Sequence, residues 1–232
     1  MSRRQARAIP RSTPRPHAQS SPGSESGTLQ QAWRFYSIGQ REQAEALCRS
    51  ILSRRADDLG AMTLLGIMLA QAGRLAEAAE RLGHVARKAP RDASAHNNHG
   101  NVLRSLGRYG QALTCYEQAV AILPDYADAH YNRGVTLQDL RQYAQALASY
   151  DRALELKPDY ASAWNNRGAT LRALERKEEA LASYERALAV RPDYAEAHNN
   201  RGVAQQELGS AEQALESYGR ALALRPQYAE AH

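Results

Sequence analysis

Five prolines constrain this chain more than any other feature. Pro90, Pro124, Pro158, Pro192 and Pro226 each stand 34 residues after the last. Gly66, Gly100, Gly134, Gly168 and Gly202 keep the same spacing, as do Ala78, Ala112, Ala146, Ala180 and Ala214. Tyr116, Tyr150, Tyr184 and Tyr218 follow the last four of those alanines, and residues 158–191 agree with 192–225 at 20 of 34 positions. A fixed period of this length means a stack of similar units, each too small to bury its own apolar face and completed by its neighbours.

Each unit reads as two helices. In the unit opening at Pro124, Asp125 is placed to cap a first helix running to about Leu140, and the Asp193/Glu196 spacing suggests a capping box in a later unit. A break follows at Arg141–Gln142, a place taken by Gly73, Gly107 and Gly209 elsewhere. A second helix is expected from Tyr143 to Leu156, where Ala146, Leu147, Tyr150, Ala153 and Leu154 recur at spacings of three and four and so share a face. The next proline stops it. Gly134 and Ala146 are the small residues that let paired helices approach, with Leu137, Leu140, Tyr150 and Leu154 filling the space between pairs.

The run from Trp164 through Arg167, Gly168 and Leu171 to Ala180, Tyr184 and Pro192 resembles the tetratricopeptide repeat, with arginine where that family usually has leucine and leucine where it has tyrosine. The resemblance implies an all-α, right-handed solenoid. Five units are expected at 59–92, 93–126, 127–160, 161–194 and 195–228, with a degenerate unit at 29–58. Residues 229–232 would open a further unit. That end has no polar capping helix in the sequence, which invites end-to-end self-association.

In tetratricopeptide arrays the first helix of each pair lines the concave wall, and on that helix Asn98, Asn132, Asn166 and Asn200 repeat in one register. Asparagine is a mediocre helix former, so propensity does not explain the register. Its carboxamide both donates and accepts, which suits the backbone of an extended peptide irrespective of side chains. These four are the candidate peptide-binding residues, with Asp128, Tyr131, Asn165, Glu196 and Asn199 tuning selectivity. The neighbouring arginines, Arg133, Arg167 and Arg201, are expected to lay their stems along the seam and send their guanidinium groups to the rim. The two-cation clamp of chaperone-binding members is missing, since Ser94, Asp128, Ser162 and Glu196 stand four residues before the asparagines. The asparagine register and the phrase AEAHNNRG resemble instead the substrate arm of O-GlcNAc transferase-type proteins, which carry a catalytic domain that these residues do not contain.

The composition removes other classes. The net charge is +5, but residues 1–28 hold five arginines and one acid, so the repeats are nearly neutral and do not present a basic nucleic-acid face. That Arg-, Pro- and Ser-rich tail lacks the apolar residues to build a core and is expected to be disordered. Its basic start has no apolar run behind it and is no secretory signal. The longest nearly apolar stretch, residues 61–70, is too short to span a bilayer. Two cysteines, Cys48 and Cys115, make no disulfide framework and point to a reducing, cytoplasmic compartment. His96 and His99 stand three apart, but His96 shares the register of His130, Trp164 and His198 and reads as repeat filling. Trp33 and Phe35 read as an end cap. No phosphate loop, metal-ligand set or catalytic constellation is evident, and no cofactor is expected. The function expected is that of a non-catalytic scaffold for polypeptide.

Overall fold

The computed structural model describes residues 25–226, and within them the chain is a succession of helix pairs in two compact units that divide between Leu123 and Pro124. The first unit holds α1 (Glu25–Ser37), α2 (Arg41–Arg54), α3 (Leu59–Gln71), α4 (Leu75–Lys88), α5 (Ala93–Ser105) and α6 (Tyr109–Ile122). The second holds α7 (Ala127–Asp139), α8 (Tyr143–Leu156), α9 (Ala161–Ala173), α10 (Lys177–Val190), α11 (Ala195–Glu207) and α12 (Ala211–Leu224). The all-α repeat architecture is therefore as the period demands. α1 begins at Glu25, four residues before the unit boundary expected at 29. The rest of the tail and the opening of a further unit at 229–232 lie outside the described residues.

One turn joins the helices of every pair. After the first helix a residue takes positive φ: Gly39, Gly73, Gly107 and Gly209 at 73–82°, but Arg141 and Glu175 at 60°. The amide three residues past the helix end reaches back five residues, as Arg108 N–H does to the Leu103 carbonyl at 2.9 Å and Gln142 N–H to Leu137 at 2.8 Å. Gly107 N–H bonds the Arg104 carbonyl inside that loop, so the orphan carbonyls at the helix end are satisfied by a left-handed residue.

Glycine also sets the closeness of each pair. A Cβ built on Gly100, Gly134, Gly168 or Gly202 would lie 2.6–2.7 Å from the ring of Tyr116, Tyr150, Tyr184 or Tyr218 on the partner helix. Three of those rings, Tyr116, Tyr150 and Tyr184, are fully buried. In the first unit Leu82 meets Gly66 in the same way. Ala146 and Ala180 are also fully buried, as their register implies. Leu140, expected between the pairs, is instead 37% exposed, because the helix ends at Asp139 and the chain turns away. Trp33 and Phe35 pack against the core of α1–α4, with Trp33 edge-on to Tyr36.

Capping departs from expectation. Asp58 and Asp92 immediately precede their helices and accept from Ala61 N–H, and from Ser94 N–H and Ala95 N–H. In the second unit a tyrosine stands at that place, so Asp125 and Asp193 are one residue too early: α7 and α11 follow Tyr126 and Tyr194 with no side-chain cap, and no capping box forms with Glu196. A ring nitrogen ties down the turn in both units, His96 to the Pro90 carbonyl, His130 to Pro124, Trp164 to Pro158 and His198 to Pro192, at 2.8–3.2 Å. That bond explains the shared register of three histidines and a tryptophan.

Two substitutions test these devices by thermal denaturation. Gly168→Ala gains helix propensity of about 1 kcal/mol but forces a methyl into the Tyr184 ring, so a net loss of roughly 1–2 kcal/mol is expected. Glu175→Gly relieves a left-handed non-glycine residue and is expected to stabilise by about 0.5–1 kcal/mol.

Candidate functional site

Within the second unit α7 touches α9 and α9 touches α11, whereas the second helices α8, α10 and α12 are not in comparable mutual contact. The first helices therefore form the tighter, inner wall, and the side chains they turn to it are the candidate site. Tyr131, Asn165 and Asn199 are buried at corresponding places, and Asn132 beside Tyr131 is buried too. Asp128, Asn166, Glu196 and Asn200 are half-buried. Asn98 lies half-buried on α5, in the other unit.

Hydrogen bonds run along this wall from one pair to the next. Asn166 Nδ2 donates to Tyr131 Oη at 3.1 Å, and Asn200 Nδ2 donates to Asn165 Oδ1 at 3.0 Å, both over 35 residues. Asn165 Nδ2 in turn donates to Glu196 Oε1 at 3.3 Å. The asparagine register thus has a structural duty between repeats. It does not exhaust the groups: a carboxamide offers two N–H donors and two lone pairs, and Asn200 and Asn166 spend only part of that capacity.

Tyrosines add a second set of links that sequence reading missed. Tyr160, in the turn before α9, lies with its ring centroid 4.7 Å from that of Tyr131 on α7, and its hydroxyl donates to the Asp128 carboxylate. Burial, reinforced by Asp128, pushes its phenol well above the usual range. Tyr194 shares a hydrogen bond with Ser162 and carries the Arg191 guanidinium 3.4 Å over its ring. The signal was the recurrence of Tyr126, Tyr160 and Tyr194 after each proline.

The arginines point away from any ligand role. Arg167 Nη1 donates to Ser183 Oγ at 2.7 Å and its Nε to Asp151 at 2.7 Å, while Arg201 Nε donates to Ser217 Oγ at 2.9 Å. Arg133 reaches Ser149 at 3.4 Å. Their guanidinium groups meet buried serines on the second helices rather than running out to the rim. The serine register was legible but unread. In the first unit His99 and Cys115 take these two places, 3.5 Å apart. Burial lowers the His99 pKa and raises that of the Cys115 thiol to about 11, so the pair is not a thiolate–imidazolium couple. Among the described residues no cluster of three or more metal-ligating side chains forms, and no helix is long and apolar enough to cross a membrane.

Family models for tetratricopeptide repeats match residues 29–93, 100–141, 127–160, 149–182, 169–209 and 195–228. The chain belongs to the tetratricopeptide-repeat family. No curated protein matches it. Solved structures share the fold. PilF of Pseudomonas aeruginosa superposes with a TM-score of 0.79 at 18% identity, over 89% of this chain and 94% of that one. MamA from Desulfovibrio magneticus RS-1 gives 0.67 at 21%, over 75% and 98%. YrrB, described as a tetratricopeptide-repeat protein with an unusual peptide-binding site, gives 0.63 at 24%, over 79% and 95%.

The tetratricopeptide wall of the second unit thus brings together Asp128, Tyr131, Asn165, Asn166, Glu196 and Asn200, joined by hydrogen bonds or ring contacts. Its members differ in how much of the fold rests on them. Asn165 is 1% exposed and bonded to two neighbouring residues on α11, so Asn165→Ala is expected to cost roughly 1–3 kcal/mol. Half-buried Asn200 should cost less than about 1 kcal/mol on the same change. Chemical denaturation of the two variants checks the difference.

Proposed function

We propose that this chain is a non-catalytic scaffold that binds extended polypeptide along the wall formed by its first helices. The observation that carries the reading is the set of carboxamides on the first helices of the second unit, where Asn166 is anchored to Tyr131 and Asn200 to Asn165 on the preceding first helix while each keeps unspent donors and acceptors. A row held in place by its own hydrogen bonds is preorganised, so little side-chain entropy is lost when a peptide backbone docks. Asn98, Asn132, Asn166 and Asn200 offer backbone contacts in this scheme, and Asp128, Tyr131, Asn165, Glu196 and Asn199 shape the surface beside them. The carboxylates of Asp128 and Glu196, with the arginines held against serines, favour segments that are neutral or basic over acidic ones.

The description of YrrB as having a peptide-binding site supports the same use of this fold. A second reading, favoured by the asparagine register, makes the wall the substrate arm of a glycosyltransferase of O-GlcNAc transferase type. It relies on the same residues and adds sugar transfer to a bound peptide.

The test uses Asn98→Ala, Asn166→Ala and Asn200→Ala combined, which spares the more buried Asn132 and Asn165. Peptides selected from an array of unstructured sequences by the wild-type chain should bind the triple variant at least about tenfold more weakly, which is a difference of about 1.4 kcal/mol. Helical circular dichroism should stay unchanged. Equal binding by the variant would remove these asparagines from the site.

A further inference from the structure

One buried tyrosine hydroxyl is left out of the pattern that its counterparts follow. Tyr150 Oη donates to Gln138 Oε1 at 2.8 Å and Tyr218 Oη to Gln206 Oε1 at 2.9 Å, each to a carboxamide 12 residues earlier on the first helix of its pair. Tyr116 reaches the same end by another route: Arg104 stands at that place, and Asn101, one turn earlier, accepts at 2.9 Å instead. In the α9–α10 pair neither place holds an acceptor, since they are taken by Arg172 and Ala169. Tyr184 is fully buried, and its Oη has no hydrogen-bond partner among the described residues. A phenol hydroxyl in the interior of a protein ordinarily finds one.

Arg172 cannot answer it, because a guanidinium only donates. Arg172 stands seven residues, two turns, after Asn165, as Glu207 does after Asn200, so the two continue along α9 and α11 the edge on which those asparagines meet. Their ion pair is 3.9 Å long, beyond hydrogen-bond range, and each side chain is 35% exposed. The charges that act on the Tyr184 phenol are those of Arg172, Glu207 and Glu196, one positive and two negative. Where Val135 and Val203 stand on α7 and α11, α9 has the smaller Ala169. This corner of the inner wall thus holds two donors of different kinds in want of an oxygen, with carboxylates at their side.

We propose that the Ala169–Arg172–Tyr184 corner is a subsite that reads a glutamine side chain of the bound polypeptide, an inference that rests on the peptide-binding reading above. The glutamine Oε1 accepts from Tyr184 Oη and from the Arg172 guanidinium, and its Nε2 donates to the Glu207 carboxylate. It does from outside what Gln138 and Gln206 do from within the fold at the neighbouring pairs. A carboxylate in its place brings a third negative charge beside Glu207 and Glu196 against one guanidinium, and it has no N–H to offer them. An apolar side chain leaves the hydroxyl and the guanidinium unanswered, which is what makes a hydrogen-bonding site selective.

Two measurements test this, the first on the protein alone. In thermal denaturation Tyr150→Phe should lower the melting temperature, because Gln138 loses its donor, whereas Tyr184→Phe should leave it unchanged or raise it, because an unanswered hydroxyl is removed from the interior. Equal losses would mean that the Tyr184 hydroxyl is already satisfied in the folded chain, and would overturn the proposal. The second takes peptides that the wild-type chain selects and the triple asparagine variant releases, and varies each of their positions among Gln, Ala, Glu and Met. One position should favour Gln over each of the others by about tenfold or more, and that ratio should fall to about one in Tyr184→Phe and in Arg172→Gln, which gives Tyr184 a carboxamide of its own. Peptides that bind through the asparagines yet show no preference for Gln, prefer Glu, or keep the preference for Gln in Arg172→Gln refute the subsite and leave the scaffold reading standing. A chain that selects no peptide at all removes both.

Discussion

The approach of a tyrosine ring to a bare glycine backbone is the contact on which four of the six described helix pairs are built. Burying an aromatic ring removes a large apolar area from water in so small a unit, and only a helix without a Cβ at that point lets the ring come so close. Once Tyr150 rests on Gly134, or Tyr184 on Gly168, the separation of the two helices is set. The left-handed turn between them and the small alanines beside them are consequences of that separation. Where the ring is replaced by Leu82, as at Gly66, the pair keeps the same arrangement with a smaller filler, and the surrounding helix α3 is correspondingly richer in leucine and methionine.

Between pairs polar linkage is added to apolar contact. Carboxamides and hydroxyls along the first helices of the second unit bind one pair to the next, and arginines brace first helices to serines on second helices. The same residues that suggest a ligand surface are thus parts of the frame. That double duty is physically coherent: a polar group held by one neighbour is already oriented for another, and binding then requires no rearrangement. It also means that the register is not uniform, since α1 has Gln30 and α3 has Leu64 where α5, α7, α9 and α11 have asparagine.

Much of this was legible beforehand because the period is a direct readout of geometry. The bounds expected for α8, Tyr143 to Leu156, are those found, since an alanine–tyrosine face and a following proline leave little freedom. Capping was misread for a reason of one residue: Asp92 adjoins its helix, whereas Asp125 is separated from its helix by Tyr126. Side-chain partners 16 or 35 residues away were visible only as parallel registers, and nothing in a register says which other register it meets. The arginines were expected at the rim because their stems suit a seam. The buried serines that take their guanidinium groups became evident only when the second helices were set beside the first.

The exchange of an aspartate for a tyrosine ahead of the first helices alters where each helix draws its support. Asp58 and Asp92 hold the opening amides of α3 and α5 locally, so those helix starts are secured by their own residues. Tyr160 and Tyr194 hold no amide of their own helix and reach back instead to Asp128 and Ser162 on the preceding first helix. In the second unit the start of one helix therefore draws part of its support from its predecessor, beside the local bond of Trp164 or His198 to the turn. Local fraying is exchanged for dependence on a neighbour, and the amide protons at the starts of α9 and α11 report the opening of an adjoining pair as much as of their own.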